Sequence, residues 1–142
     1  MAAAIPENFI TGQAPGITIE RIDFAKTPLQ AYTGLYATIL DNVLSAEECH
    51  TLLRMAEAQT SGGWERAMVN IGNGKQAMYE DVRSCGRIIW DDMDVVARLW
   101  RRVAPLVPEI ARLESQAYIT GVGPAKRNEV WKLTRLNERM RF

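Results

Sequence analysis

Apolar and polar residues alternate in two different periods along this chain, and the places where the period changes outline its elements. Ile17-Thr-Ile-Glu-Arg-Ile22 alternates with period two, which predicts a short edge strand inside an otherwise irregular segment carrying Pro6, Gly12, Pro15, Gly16 and Pro28. The β-branched and aromatic content from Tyr36 to Asn42 predicts a second strand. Ser45-Ala-Glu-Glu48 has the form of a capping box, so a helix is expected to begin at Ala46. Cys49, Leu52, Leu53 and Ala56 fall at i, i+3, i+4 and i+7 as its apolar stripe, and Ser61-Gly62-Gly63 closes the element.

Trp64 to Ile71 reads as one strand, Asn73-Gly74 as a tight hairpin turn, and Gln76 onward as the antiparallel return. Ser84 to Trp90 predicts a further strand. Asp91, Asp92 and Asp94 then occupy positions where carboxylates favour a helix start, followed by Val95, Val96, Leu99, Trp100 and Val103 as a buried face. Pro105 and Pro108 end that helix. Gly121, Gly123 and Pro124 mark a loop, and Trp131 to Phe142 runs without Gly or Pro as one long strand. Its period-two alternation puts Leu136, Met140 and Phe142 on one face and Asn137, Arg139 and Arg141 on the other.

The pattern amounts to an α+β fold with antiparallel strands dominating and two or three helices. An irregular arm covers 1–33 and wraps over a domain spanning 34–142. The 142 residues, 47% apolar and 24% charged, suit one globular domain. Seventeen basic residues balance seventeen acidic ones, so no global field draws the chain to nucleic acid or to an anionic membrane. No apolar run approaches the ~20 residues that a membrane helix needs. Pro6 and Glu7 interrupt what would be the apolar core of a secretion signal. Two cysteines are too few for a disulfide framework, and the expected location is the cytoplasm or nucleus.

Candidate chemistry is sparse. A mononuclear iron site needs two imidazoles and a carboxylate, and the sequence holds one histidine, His50, read as a surface residue of the first helix. Cys49, Cys85 and His50 lack the paired spacing of a zinc site. Cys49 and His50 point about 100° apart on a helix, which defeats a nucleophile and base pair. Asp91, Asp92 and Asp94 could ligate a hard cation, but capping explains them without one. Gly72-Asn-Gly74-Lys75 lacks the upstream glycine and the Ser or Thr of a phosphate loop. Arg98, Arg101 and Arg102 are read as the solvated face of the second helix. Arg135, Arg139 and Arg141 are left open between a solvated face and an anionic ligand.

Five segments taken together resemble the prolyl 4-hydroxylase-like 2-oxoglutarate oxygenases typical of fungi. They are Pro6-Glu-Asn-Phe9, Gly34 to Cys49, Trp64 to Gly74, Val82-Arg-Ser-Cys-Gly-Arg-Ile-Ile-Trp-Asp-Asp92 and Arg135-Leu-Asn-Glu-Arg-Met-Arg-Phe142, the last two being the more specific. The resemblance implies the N-terminal buttress of an incomplete double-stranded β-helix, or jelly roll. It also implies an Fe(II)- and 2-oxoglutarate-dependent dioxygenase, with ascorbate as a further cofactor of a complete relative. The family's tyrosine, His-x-Asp pair, distal histidine and basic 2-oxoglutarate ligand would lie beyond Phe142. No catalytic, metal or cofactor residue is therefore assigned, and this chain alone is expected to be truncated and inactive.

Asn137, Arg139 and Arg141 share the side that would border the active site. The substrate, protein or small molecule, is open. The uncovered C-terminal strand is expected to promote self-association. A non-catalytic binding or scaffold module is the alternative reading, followed by a nucleic-acid-binding protein.

Overall fold

A computed structural model describes residues 4–12, 16–60, 63–82, 84–117 and 122–142. The architecture is α+β, with four helices and five antiparallel strand pairs among these residues. Each sheet has two strands, and none closes into a barrel. Among the described residues no helix is long and apolar enough to cross a membrane.

Strand β1 (Thr18–Arg21) pairs with β2 (Thr38–Asp41), so the period-two run in the arm becomes an edge strand as expected. Helix α1 (Ala46–Ala58) begins where the capping box predicts. Ser45 Oγ accepts from the Glu48 N–H at 3.1 Å, and Glu48 Oε2 accepts from the Ser45 N–H at 2.9 Å. Its inward face differs from the predicted stripe: Cys49 and Leu53 are exposed, while Leu52, Met55 and Ala56 turn inward beside Glu48. The helix is rolled by Glu48, whose carboxylate is drawn inward by a buried arginine described below. Ser61 and Gly62 lie outside the described residues.

The predicted strand Trp64 to Ile71 is two strands with different partners. β3 (Glu65–Arg66) pairs with β6 (Gly86–Arg87), while β4 (Val69–Gly72) pairs with β5 (Lys75–Ala77). Asn73 and Gly74 adopt φ of 51° and 70°, the positive pair required at the centre of a type I′ turn. Gly86 is needed for a close approach, because a Cβ there would lie 3.2 Å from Trp64 Cβ. The run Ser84 to Trp90 likewise divides at Ile88, giving β6 and then β7 (Ile89–Asp91).

Helix α2 (Met93–Val103) starts at Asp92, whose Oδ1 accepts from the N–H groups of Asp94 and Val95, both at 2.9 Å. Val95 and Val96 are buried as predicted. A 3₁₀ turn at Ala104–Leu106 and a short α3 (Pro108–Ala111) follow the prolines. β8 (Arg112–Glu114) pairs with β9 (Val130–Lys132). Gly123 and Pro124 sit within a short α4 (Val122–Lys126) rather than an open loop, because proline is tolerated in a helix's first turn. Gly121 is outside the described residues.

The long strand predicted from Trp131 to Phe142 is also two strands. β9 ends at Lys132, and β10 (Arg139–Arg141) joins β7 in a separate antiparallel pair. Between them Asn137 Oδ1 accepts from the Arg139 N–H at 2.9 Å, a local turn that restarts the extended chain. The predicted alternation survives inside this shorter segment. Leu136, Met140 and Phe142 are half-buried, and Asn137, Arg139 and Arg141 are exposed.

One core unites distant parts of the chain. Phe9 and Ile10 from the arm, Met55 and Ala56 from α1, Ile88 and Trp90 from the β6–β7 segment and Val95 from α2 are buried together, with Met140 and Phe142 packed against them. The rings of Trp90 and Phe142 lie 6.4 Å apart at an interplanar angle of 25°, an offset stack.

Candidate functional site

The most organised polar cluster lies where the arm crosses α1 and α2. Residues 6–11 wind through successive turns, with the Phe9 N–H donating to Pro6 O at 3.0 Å. Ile10 takes a φ of 53°, a left-handed conformation that a β-branched residue adopts only under constraint. The constraint is supplied by burial of Phe9 and Ile10 and by a guanidinium. Arg98 Nη1 donates to Pro6 O at 2.8 Å and Phe9 O at 2.9 Å, while Asp94 holds Nη2 at 2.8 Å.

Arg102 performs the deeper part of this clamp. It is 4% exposed. Nε donates to Gly12 O at 2.9 Å and Nη1 to Val43 O at 2.8 Å. Nη1 and Nη2 also grip the two Glu48 oxygens at 2.8 Å each, a bidentate ion pair. These bonds from Arg102 hold the Glu48 carboxyl below the usual carboxylate range against the opposing cost of burial. Glu48 therefore caps α1 and anchors α2 with one side chain.

This arrangement corrects the expectation that Arg98, Arg101 and Arg102 form a solvated face. Only Arg101 is exposed; its Nε approaches Ala97 O at 3.4 Å. The signal for Arg102 was in the sequence, since Val95, Leu99 and Arg102 fall at i, i+4 and i+7 on the apolar stripe. A cleft of about 490 Å³ opens beside the clamp, bordered by Asn8, Thr11, Glu47, Glu48, Arg54 and Arg102. Its most buried polar groups are already bonded to each other, so the clamp acts as a fastening and supplies no paired nucleophile and base.

The other singled-out residues are dispersed. His50 is exposed on α1, its Nδ1 2.7 Å from Ala46 O. Cys49 and Cys85 are exposed free thiols. Asp92 is a helix cap, Asp94 pairs with Arg98, and Asp91 pairs with Arg139, so these three carboxylates serve three different partners. Arg139 grips both Asp91 oxygens, at 2.8 and 2.6 Å, which lowers the Asp91 carboxyl. Asn137 holds the Arg139 N–H, and Arg141 stands exposed opposite Ile89 in the β7–β10 ladder.

Among the described residues no group of three His, Cys, Asp or Glu side chains could hold a metal ion. With one imidazole in the sequence, the residues present do not fit the ferrous site that the oxygenase resemblance implies. Comparison of the chain with protein-family models, curated proteins and solved structures finds no match.

Proposed function

We propose that these residues form the N-terminal scaffold of an Fe(II)- and 2-oxoglutarate-dependent oxygenase of the prolyl 4-hydroxylase type, and that by themselves they do not turn over. The observation that supports this reading is the meeting of four of the five resembling segments in one core. Phe9 comes from the first, Leu44 from the second, Ile88 and Trp90 from the fourth, and Met140 and Phe142 from the last. The two most specific segments are joined directly by the β7–β10 pair. On this reading β10 leads toward the part of the fold that carries iron in the family, and Asn137, Arg139 and Arg141 border it.

The test is the intact mass of the protein from its native source against the 16.0 kDa of this chain. A larger protein is expected to convert 2-oxoglutarate to succinate when supplied with Fe(II) and ascorbate. A larger protein that does neither this nor binds 2-oxoglutarate overturns the family assignment. A native 16.0 kDa chain that consumes 2-oxoglutarate overturns the claim of inactivity.

A further inference from the structure

Strand β10 is paired on one edge only. Ile88 and Phe142 exchange both backbone hydrogen bonds, at 3.1 and 3.0 Å, and the Asp92 N–H donates to Glu138 O at 3.0 Å. Residues 138, 140 and 142 therefore turn their amide groups toward β7, and alternation sends those of Arg139 and Arg141 to the far edge. Among the described residues no strand covers that edge. The Arg139 N–H is occupied by Asn137, which leaves the Arg139 carbonyl and both Arg141 backbone groups directed outward.

The side chains at this edge specify what would cover it. One face carries Met140 and Phe142, half-buried against the core. The opposite face carries Arg139 and Arg141. Asp91 grips Arg139, and Arg141, which forms no direct ion pair among the described residues, stands near enough to help depress the same Asp91 carboxyl. A second copy is a poor occupant, because antiparallel pairing about Met140 would set Arg139 opposite Arg141 of the other chain twice. Like charges directly opposite in a ladder destabilise it.

We propose that β10 is a docking edge for an extended acidic segment of another polypeptide, added antiparallel with carboxylates opposite Arg139 and Arg141 and apolar side chains over Met140 and Phe142. Main-chain bonds supply the attachment and the alternating side chains supply the choice of partner. The inference rests on the strand's edge and charge.

The probe is a blocked peptide, Ser-Glu-Val-Glu-Val-Glu-Ser, compared with its Lys-for-Glu counterpart and with a form N-methylated at each Glu. The geometry aims those Glu amides at β10. The acidic peptide is expected to shift the Arg141 amide resonance and to bind about tenfold tighter than the Lys peptide, from two cross-strand charge pairs changed in sign. N-methylation is expected to remove binding. Arg141→Glu, at an exposed position without a direct ion pair, is expected to abolish the preference, because one attractive and one repulsive charge pair then remain for either peptide, while amide dispersion stays native.

Equal binding of the two peptides, tolerance of N-methylation or an unchanged preference in R141E overturns the proposal. So does failure of every peptide to bind, which would make the arginines guards against edge pairing. Dimerisation of the chain through β10 in sedimentation equilibrium overturns it as well.

Discussion

Replacing Arg102 by methionine keeps much of the side-chain length and removes a guanidinium that is 4% exposed, so the variant isolates the polar part of the clamp. Bonds to Gly12 O, Val43 O and both Glu48 oxygens are lost together. Removing one member of a buried ion pair costs about 3–5 kcal/mol, because the other charge is left in a poor solvent. The Glu48 side chain keeps 22% exposure and the Ser45 N–H, which places the cost at the lower end, about 3 kcal/mol. For a chain of this size that corresponds to a fall in Tm on the order of 10 °C.

Urea unfolding followed by far-UV circular dichroism and tryptophan fluorescence measures the cost of Arg102→Met. Glu48→Gln retains the capping-box geometry while removing the charge, and the double variant closes a cycle. The expected coupling is about 2 kcal/mol, since neither charge is stranded when both are gone. The cycle also has a pH signature. The Glu48 carboxyl is depressed in the folded state, so its contribution is complete above the ordinary glutamate value of about 4.3 and is lost as pH falls through the lower folded value. The gap between the parent and Arg102→Met is expected to narrow in that acid window. A cost below about 1 kcal/mol, or additive single variants, would refute the buried-clamp argument.

Two further substitutions test the elements around the clamp. Asp92→Ala removes the cap that accepts from both Asp94 and Val95, and is expected to cost about 1 kcal/mol in the same urea titration. Ile88→Ala empties a fully buried position between β6 and β7, and is expected to cost about 3 kcal/mol, with Ile88→Val nearer 1 kcal/mol. Equal losses for the two Ile88 variants would refute the full burial of this side chain, since the larger truncation removes more buried carbon even if the site collapses.

Much of the local structure was legible along the chain because its causes are local. The Ser45–Glu48 box, the Asp92 cap and the Asn73-Gly74 turn each act within a few residues, and each forms where the sequence places it. The candidate site was less legible. Asn137, Arg139 and Arg141 are each exposed, but the ion pair between Arg139 and Asp91 depends on β7 arriving beside β10. Arg102 lay on an apolar helical stripe and was nevertheless read by its charge. Its burial requires Glu48, Val43 and Gly12 to converge from three other parts of the chain.

The sequence by itself determined where helices begin, where a hairpin reverses and which residues of a short strand share a face, because capping, backbone sterics and side-chain period act over a few bonds. Tertiary structure alone decided that Trp64 to Ile71 and Trp131 to Phe142 each divide between two partners, and that α1 rolls to carry Glu48 inward. A strand ends where its hydrogen-bonding partner ends. A buried charge is stable only where its counter-charge arrives, and neither fact is contained in the segment that obeys it.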